Sequence, residues 1–361
     1  MPVSKGREGN CTMPSLDAIV CAASNAGTSD VLVAPNVPIR FRIDGSLRDA
    51  NDEVLTPEDT AALGREACGA EYEKVERGIE VDLARSFSNG VRCRINVYRS
   101  MGHACMAIRL LASSIPKLEN LGVPPVVHEF QTYQRGIVIV TGETGSGKST
   151  TLAAIIDRIN HTRNDHIVTL EDPVEYVYEP DRCSIDQREI GRDTQSFAEG
   201  LRAVLRQDPD VILVGEMRDF STIETALTAA ETGHLVFGTL HTQSAPDSID
   251  RLVDVFPEER QQQIRMQLSM TLKAVISQQL IPKRMGGRAL AAEVMIVNPA
   301  IKNLIREGKT PQIANTLATT ADLGAITMDA ALQKLVRSRT ITAADAIAAA
   351  HDPELMRKMV R

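Results

Sequence analysis

The chain has 361 residues, 43% of them hydrophobic and 24% charged, and carries a formal net charge of −7 at pH 7. That composition fits a globular protein of two or three domains with large buried cores. The acidic balance, the absence of Trp and the small stock of five Tyr and seven Phe argue against a protein whose main work is gripping nucleic acid.

In chain order, residues 1–14 are expected to be a loose polar leader without the apolar stretch of a signal peptide. Leu16 to Ala26 follows as a helix, with Leu16, Ile19, Val20 and Ala23 on one face. Val31–Val33 and Ile39–Ile43 have the pattern of strands, and Asp44-Gly45 is a hairpin turn signal. Thr56-Pro57-Glu58-Asp59 starts a helix, with Thr56 as cap, Pro57 in the first helical position and Asp59 closing a capping box. Arg92 to Tyr98 alternates polar and apolar residues as a half-buried strand does. These elements predict an α+β domain over residues 1–122.

Gly122-Val123-Pro124-Pro125 breaks the pattern, and residues 123–135 are expected to be a semi-rigid interdomain linker. A second domain is expected over 136–299. It opens with Gly136-Ile137-Val138-Ile139-Val140, a β-branched run suited to a buried parallel strand. Ile167–Leu170, Val211–Val214 and Leu235–Leu240 are further apolar strands alternating with helical stretches, which predicts a parallel sheet covered on both faces. Glu258 to Leu280 is expected to be one long helix stopped by Pro282, with Ile264, Leu268, Leu272, Val275, Ile276 and Leu280 as its stripe. From Pro299 onward the patterns are helical, with caps at Thr327 and Thr342, so residues 300–361 form a helical region. No uncharged apolar run approaches the roughly 18 residues needed to cross a bilayer.

The chemistry concentrates after the Gly136 strand. Residues 142–149 fit the pattern G-x-x-x-x-G-K-S between a strand and a helical run that includes Leu152, Ile155, Ile156 and Ile159. Gly142, Gly145 and Gly147 let the backbone turn its N–H groups inward, and the helix start near Lys148 adds its positive end. Lys148 supplies a cation for the β- and γ-phosphates, and Ser149 a hydroxyl for Mg²⁺. A nucleoside triphosphatase also needs acids for metal and water and a cation for transition-state charge. Asp210-Val211-Ile212-Leu213-Val214-Gly215-Glu216 is a strand that delivers Glu216 to the carboxyl edge of the sheet, where ligands sit. Ile167 to Glu175 is a second strand ending in Glu171, Asp172 and Glu175, and spacing does not decide which acid acts. His234 and His241 bracket the Leu235–Leu240 strand; lying seven residues apart, they fall on opposite faces and make poor joint metal ligands. The six cysteines contain no C-x-x-C pair and suit reduced core thiols in a cytosolic protein.

GETGSGKSTTLAAIID, LEDPVEY, SIDQREIGRDTQSFAEGLRAVLRQDPDVILVGEMRD and TGHLVFGTLHT, in that order, resemble the Walker A motif, Asp box, Walker B motif and His box of the secretion ATPases of type IV pili and type II secretion. The resemblance runs from about residue 16 to the end. It is strongest to the pilus-retraction branch: no extra N-terminal domain and no four-cysteine zinc module are expected, and residues 300–307, AIKNLIRE, match that branch's AIRNLIRE signature with Lys302 for arginine. The resemblance implies an α/β architecture with a PAS-like N-terminal domain, a RecA-like P-loop ATPase core and a helical tail. It implies a cytoplasmic hexameric motor, peripheral at the inner membrane, that hydrolyses ATP with Mg²⁺ and acts on a platform protein of the pilus. It touches membrane only through partners and takes no nucleic acid. Gly142, Glu143, Thr144, Gly145, Ser146, Gly147, Lys148, Ser149 and Thr150 then bind nucleotide, and Ser149 and Glu216 hold the metal. Glu175 matches the proposed general base. His234 and His241 match residues thought to sense nucleotide or neighbouring domains, and Arg94 and Arg109 match N-terminal-domain arginines that approach it. Glu143 stands where the family has proline and is expected to bring a carboxylate near the phosphates. Ser29-Asp30-Val31-Leu32 stands where the family has Ser-Asp-Leu-His. The rival readings are an assembly or type II secretion ATPase, a RecA-like nucleic-acid translocase, and a GTP switch or kinase; the last lacks an Asn-Lys-x-Asp guanine motif.

Overall fold

A computed structural model describes residues 14–43, 45–111 and 114–360, so the expected leader and half of the Asp44-Gly45 turn lie outside the described residues. The chain divides into two compact units, with the boundary between Ser114 and Ile115.

The first unit runs α1 (Leu16–Asn25), β1 (Asp30–Val33), β2 (Pro38–Ile43), β3 (Ser46–Val54), α2 (Pro57–Cys68), α3 (Tyr72–Glu76), β4 (Val81–Ser86), β5 (Arg92–Ser100) and β6 (His103–Leu110). Its strands form one antiparallel sheet in the order β3-β2-β1-β6-β5-β4. Alternation assigns the faces: Val31, Val33, Ile95, Val97, Met106 and Ile108 pack with Leu16, Val20 and Leu63 of the helices, while Asp30, Arg94 and Arg109 lie on the opposite face. The Thr56 capping box forms as the sequence predicts: Asp59 N donates to Thr56 Oγ1 at 3.2 Å and Thr56 N to Asp59 Oδ2 at 2.8 Å.

The second unit continues with β7 (Gly136–Thr141), α4 (Lys148–Thr162), β8 (His166–Glu171), β9 (Ser184–Glu189), α5 (Phe197–Val204), β10 (Val211–Val214), α6 (Phe220–Glu231), β11 (Leu235–Thr239), α7 (Ala245–Asp254), α8 (Glu258–Thr271), β12 (Leu272–Pro282) and β13 (Arg288–Ile296). Helices α9 (Pro299–Arg306), α10 (Ile313–Ala318), α11 (Met328–Arg337), α12 (Ala343–Ala349) and α13 (Pro353–Met359) follow, with Thr327 and Thr342 as caps of α11 and α12. The seven strands lie in the order β13-β12-β7-β11-β10-β8-β9. Six run parallel, and β13 adds an antiparallel edge. The sheet is therefore mixed, not purely parallel. Both faces are covered: Ile137, Ile139, Ile212 and Val236 pack against α5 to α8, and Val138, Val140, Leu213 and Phe237 against α4 and residues 118–130.

Two expectations need correction. The helix predicted over Glu258–Leu280 stops at Thr271, and Leu272–Pro282 is the strand β12, paired with β7 and β13. A short apolar run buried on both faces carries no period of its own, so Leu272, Val275 and Ile276 fit either element. Residues 123–135, expected as a linker, pack within the second unit: Val126, Val127 and Phe130 are buried with Leu152, Ile155 and Ile156 of α4.

Glu293 of β13 is a buried junction. It accepts hydrogen bonds from Ala245 N at 2.9 Å and Met328 N at 3.3 Å, the starts of α7 and α11, and lies 4.0 Å from His351 Nδ1. Burial raises its pKa, and the bond from Ala245 opposes that rise. Glu293→Ala orphans two buried helix N–H groups and is expected to cost about 1–3 kcal/mol for each. Thermal unfolding of the full chain checks this: the midpoint falls by several degrees, and one within about 1 °C of the parent contradicts it.

Candidate nucleotide site

The site grows from the carboxyl edge of the sheet, where β7, β11, β10 and β8 end side by side. Register aligns Val140 with Thr239, Gly238 with Val214, and Val214 with Leu170. The loops leaving these four strands therefore emerge together.

The loop after β7 turns sharply at Gly142, whose φ is +137°; a Cβ there would stand 2.4 Å from the Gln278 carbonyl and 2.7 Å from Ser146 Oγ. No other residue fits that position. Gly145 and Gly147 follow at φ +82° and +93°, and Gly147 caps α4 without a side-chain bond. The first N–H groups of α4 thus have no intrahelical acceptor and meet the positive end of the helix dipole at the loop. Lys148 is 9% exposed, and its Nζ donates to the carbonyls of Gly142 at 2.7 Å and Glu143 at 3.0 Å. Burial lowers its pKa; the Glu216 and Glu175 carboxylates oppose that shift. Ser149 and Thr144 are exposed, and the buried Ser146 Oγ has no hydrogen-bond partner among the described residues. The Glu143 carboxylate, expected near the phosphates, accepts from Gln243 Nε2 at 3.2 Å. The Thr150 hydroxyl is shared with Tyr176 Oη at 2.9 Å. A cavity of about 780 Å³ borders the loop on its β12 side, lined by Gly142–Ser146, Gln279, Arg288 and His351.

Glu216 follows β10 through Gly215, whose N–H donates to Leu170 O at 2.7 Å; a Cβ on Gly215 would meet that oxygen at 2.9 Å. Its carboxylate pairs with His241 Nε2 at 2.9 Å and with Arg218. His241 leaves β11 beside it, so the sheet brings the Walker B acid and one His-box residue together. The Asp-box loop follows β8. Val174, Tyr176 and Tyr178 are buried, and Glu175 is exposed between them. Burial of Glu171, strengthened by the Glu175 charge, raises its pKa despite bonds from Thr169 Oγ1 and Gln187 Nε2.

One expected residue, His234, is not brought to this cluster. His234 precedes β11, and its Nδ1 lies 2.8 Å from Ala229 O and 3.1 Å from Thr232 Oγ1. The whole of β11, roughly 16 Å of strand, separates it from the carboxyl edge, so it does not bind a nucleotide held by its own chain's loop. Arg94 and Arg109 belong to the first unit, where β5 and β6 set them directly opposite each other. Arg94 makes a two-pronged pair with Asp82 at 2.8 and 3.3 Å, and Arg109 Nε donates to Asp30 Oδ1 at 2.9 Å. Sequence spacing carries no sign of these ion pairs.

The arrangement offers inward N–H groups and one buried cation to an anion. It also offers an all-oxygen donor pair, the Ser149 hydroxyl and the Glu216 carboxylate, suited to a hard cation such as Mg²⁺ completed by phosphate oxygens. The unpartnered Ser146 Oγ is consistent with a polar ligand in the cradle.

A sequence profile of the type II/IV secretion system protein family matches residues 7–285. The type IV pilus retraction ATPase PilT of Pseudomonas aeruginosa is 44% identical over 93% of this chain and 98% of its own length. A twitching motility protein of Neisseria gonorrhoeae is 44% identical over 88% of this chain and 85% of its own. Among solved structures, that of the pilus retraction motor PilT with bound ADP superposes with a TM-score of 0.90 at 45% identity, covering 96% of this chain and 99% of that one. The ATPase DotB of Legionella pneumophila gives a TM-score of 0.80 at 28% identity, covering 95% and 98%. On this match of fold, motif order and sequence, the chain belongs to the type II/IV secretion system protein family.

Proposed function

We propose that this chain is an ATP-hydrolysing motor that works as a ring of identical subunits and drives retraction of type IV pili. The observation that carries it is the convergence of Lys148, Glu216, His241 and Glu175 on the glycine loop at the ends of four strands in parallel register. The relatives named for pilus retraction and twitching motility support the motor reading. The hexameric state, the PAS-like character of the first unit and the motor role of the helical tail rest on family resemblance. So do the pilus platform as partner and the cytoplasmic face of the inner membrane as workplace. Among the described residues no helix is long and apolar enough to cross a membrane.

The residues divide the work as follows. The amides of Gly142–Thr150 cradle the phosphates, and Lys148 leaves its two loop carbonyls to neutralise the β- and γ-oxygens. Ser149 and Glu216 would hold Mg²⁺, which supplies charge neutralisation at the phosphates. Glu175, exposed at the tip of its loop, accepts a hydrogen bond from the attacking water and aligns it. His241, bonded to Glu216, relays the state of the metal end of the site into β11 and the loop that follows. Arg94 and Arg109 are the cations that ring assembly brings to the nucleotide, once released from Asp82 and Asp30. An arginine so placed can be worth about 10³–10⁵ in rate.

Two substitutions test the site. Lys148→Ala is expected to abolish ATP hydrolysis by the purified chain, measured as phosphate release; robust turnover contradicts the assignment. Glu175→Gln is expected to leave nucleotide affinity within about twofold and to slow kcat by about 10²–10⁴-fold. An unchanged kcat removes Glu175 as the water-aligning residue.

A further inference from the structure

The Asp-box loop is held by side chains of the neighbouring edge strand. β8 and β9 run parallel, with Thr169 opposite Gln187 and Glu171 opposite Glu189. Gln187 uses both ends of its amide. Its Nε2 donates to Tyr176 O at 2.8 Å and to Glu171 Oε1 at 3.2 Å, while its Oε1 accepts from Tyr178 N at 2.9 Å. Glu189, 8% exposed, accepts from Val174 N at 3.2 Å through Oε2. On the other side, the Tyr176 hydroxyl meets Thr150 Oγ1 at 2.9 Å in the first turn of α4, next to Ser149 and Lys148.

These bonds fall on the residues flanking Glu175. Val174 and Tyr176 are fixed before and after it, and Tyr178 two residues further on; all three are buried, and Glu175 and Val177 face outward between them. A carboxylate on an exposed loop would sample many positions. Here its own backbone is pinned from β9 on one side and from the phosphate-binding helix on the other. Displacement of a reacting group by about 1 Å can cost on the order of 10²-fold in rate while leaving ground-state binding intact.

We propose that Gln187, Glu189 and Tyr176 are positioning residues that hold Glu175 at the nucleotide, with the Tyr176–Thr150 bond tying the Asp-box loop to the phosphate cradle. This rests on the reading of Glu175 as the residue that aligns water. Gln187 and Glu189 reach only the Asp-box loop; Tyr176 also touches the cradle, but at the Thr150 side chain rather than at the amides that hold the phosphates. Their loss therefore lowers kcat and spares affinity. It also does nothing further once the Glu175 carboxylate is gone.

The test is a double-substitution cycle in the full-length protein, with kcat and KM for Mg-ATP, affinity for a fluorescent ADP, and the unfolding midpoint. Gln187→Leu is expected to lower kcat by about 10- to 100-fold, and Tyr176→Phe, which keeps the ring packing, by about 3- to 10-fold. KM and ADP affinity stay within about twofold. In the Glu175→Gln background, each second substitution changes kcat by less than about twofold. Multiplicative losses in that background, or wild-type kcat in folded Gln187→Leu and Tyr176→Phe, overturn the proposal. If Gln187→Leu does not fold, the Tyr176→Phe cycle decides alone. A slow Glu175→Gln beside normal Gln187→Leu and Tyr176→Phe sinks the positioning role and leaves the water-aligning role standing. A Glu175→Gln variant at wild-type kcat sinks both.

Discussion

Parallel pairing of β7 with β11, β11 with β10 and β10 with β8 is the constraint on which the site depends. Parallel strands present all their carboxyl ends at one edge, so four loops that are far apart in sequence leave the sheet side by side, each about 5 Å from the next. The register fixes which residues meet. Slip β10 by one position and Glu216 no longer follows a glycine lodged against Leu170 O. Continuous apolar burial on both faces, with β7 and β10 buried throughout, is what makes such a slip costly.

On that edge the charges are arranged around one desolvated ammonium. Lys148 donates hydrogen bonds to loop carbonyls and is supported by two carboxylates, Glu216 and Glu175, in the loops after different strands. A third acid, Glu171, sits in the same corner, but burial and the Glu175 charge favour its protonated form. That limits like-charge crowding near Glu175. Of the acids at the end of β8, Glu171 is the one turned inward, with its pKa raised, and Asp172 and Glu175 are exposed.

The sequence made the strand–loop–helix of the phosphate cradle legible because glycine spacing, an apolar run and a 3.6-residue stripe all agree there. Thr56, Thr327 and Thr342 were legible as caps for the same local reason. What the sequence hid is non-local. Leu272–Leu280 reads as helical because both faces of β12 are buried, a fact set by β7 and β13 rather than by the segment itself. Pro124-Pro125 looked like a linker because prolines break elements, yet Val127 and Phe130 find a home against α4. His234 and His241 look equivalent in sequence; only strand direction separates the one at the working edge from the one at the opposite end. Spacing does not separate Glu171, Asp172 and Glu175; the fold sets Glu171 apart by burial and leaves Asp172 and Glu175 exposed.

The same edge also explains how information can leave the site. Residues after His241 are stitched to strands on both sides: Thr141 Oγ1 donates to Thr242 O at 2.7 Å, and Ser277 Oγ to Gln243 O at 2.5 Å. Thr242 Oγ1 meets Ser248 Oγ of α7 at 2.6 Å, and the first amide of α7 is held by Glu293, which also holds the first amide of α11. A shift at Glu216 and His241 therefore has a hydrogen-bonded route through α7 to the helical region beyond residue 300. A route of contacts is not yet coupling; it needs an element with two arrangements for both ends to bias. At the Glu293 junction one buried carboxylate serves two helix starts, with His351 4.0 Å away, so α7, α11 and the segment after α12 meet at a single acid.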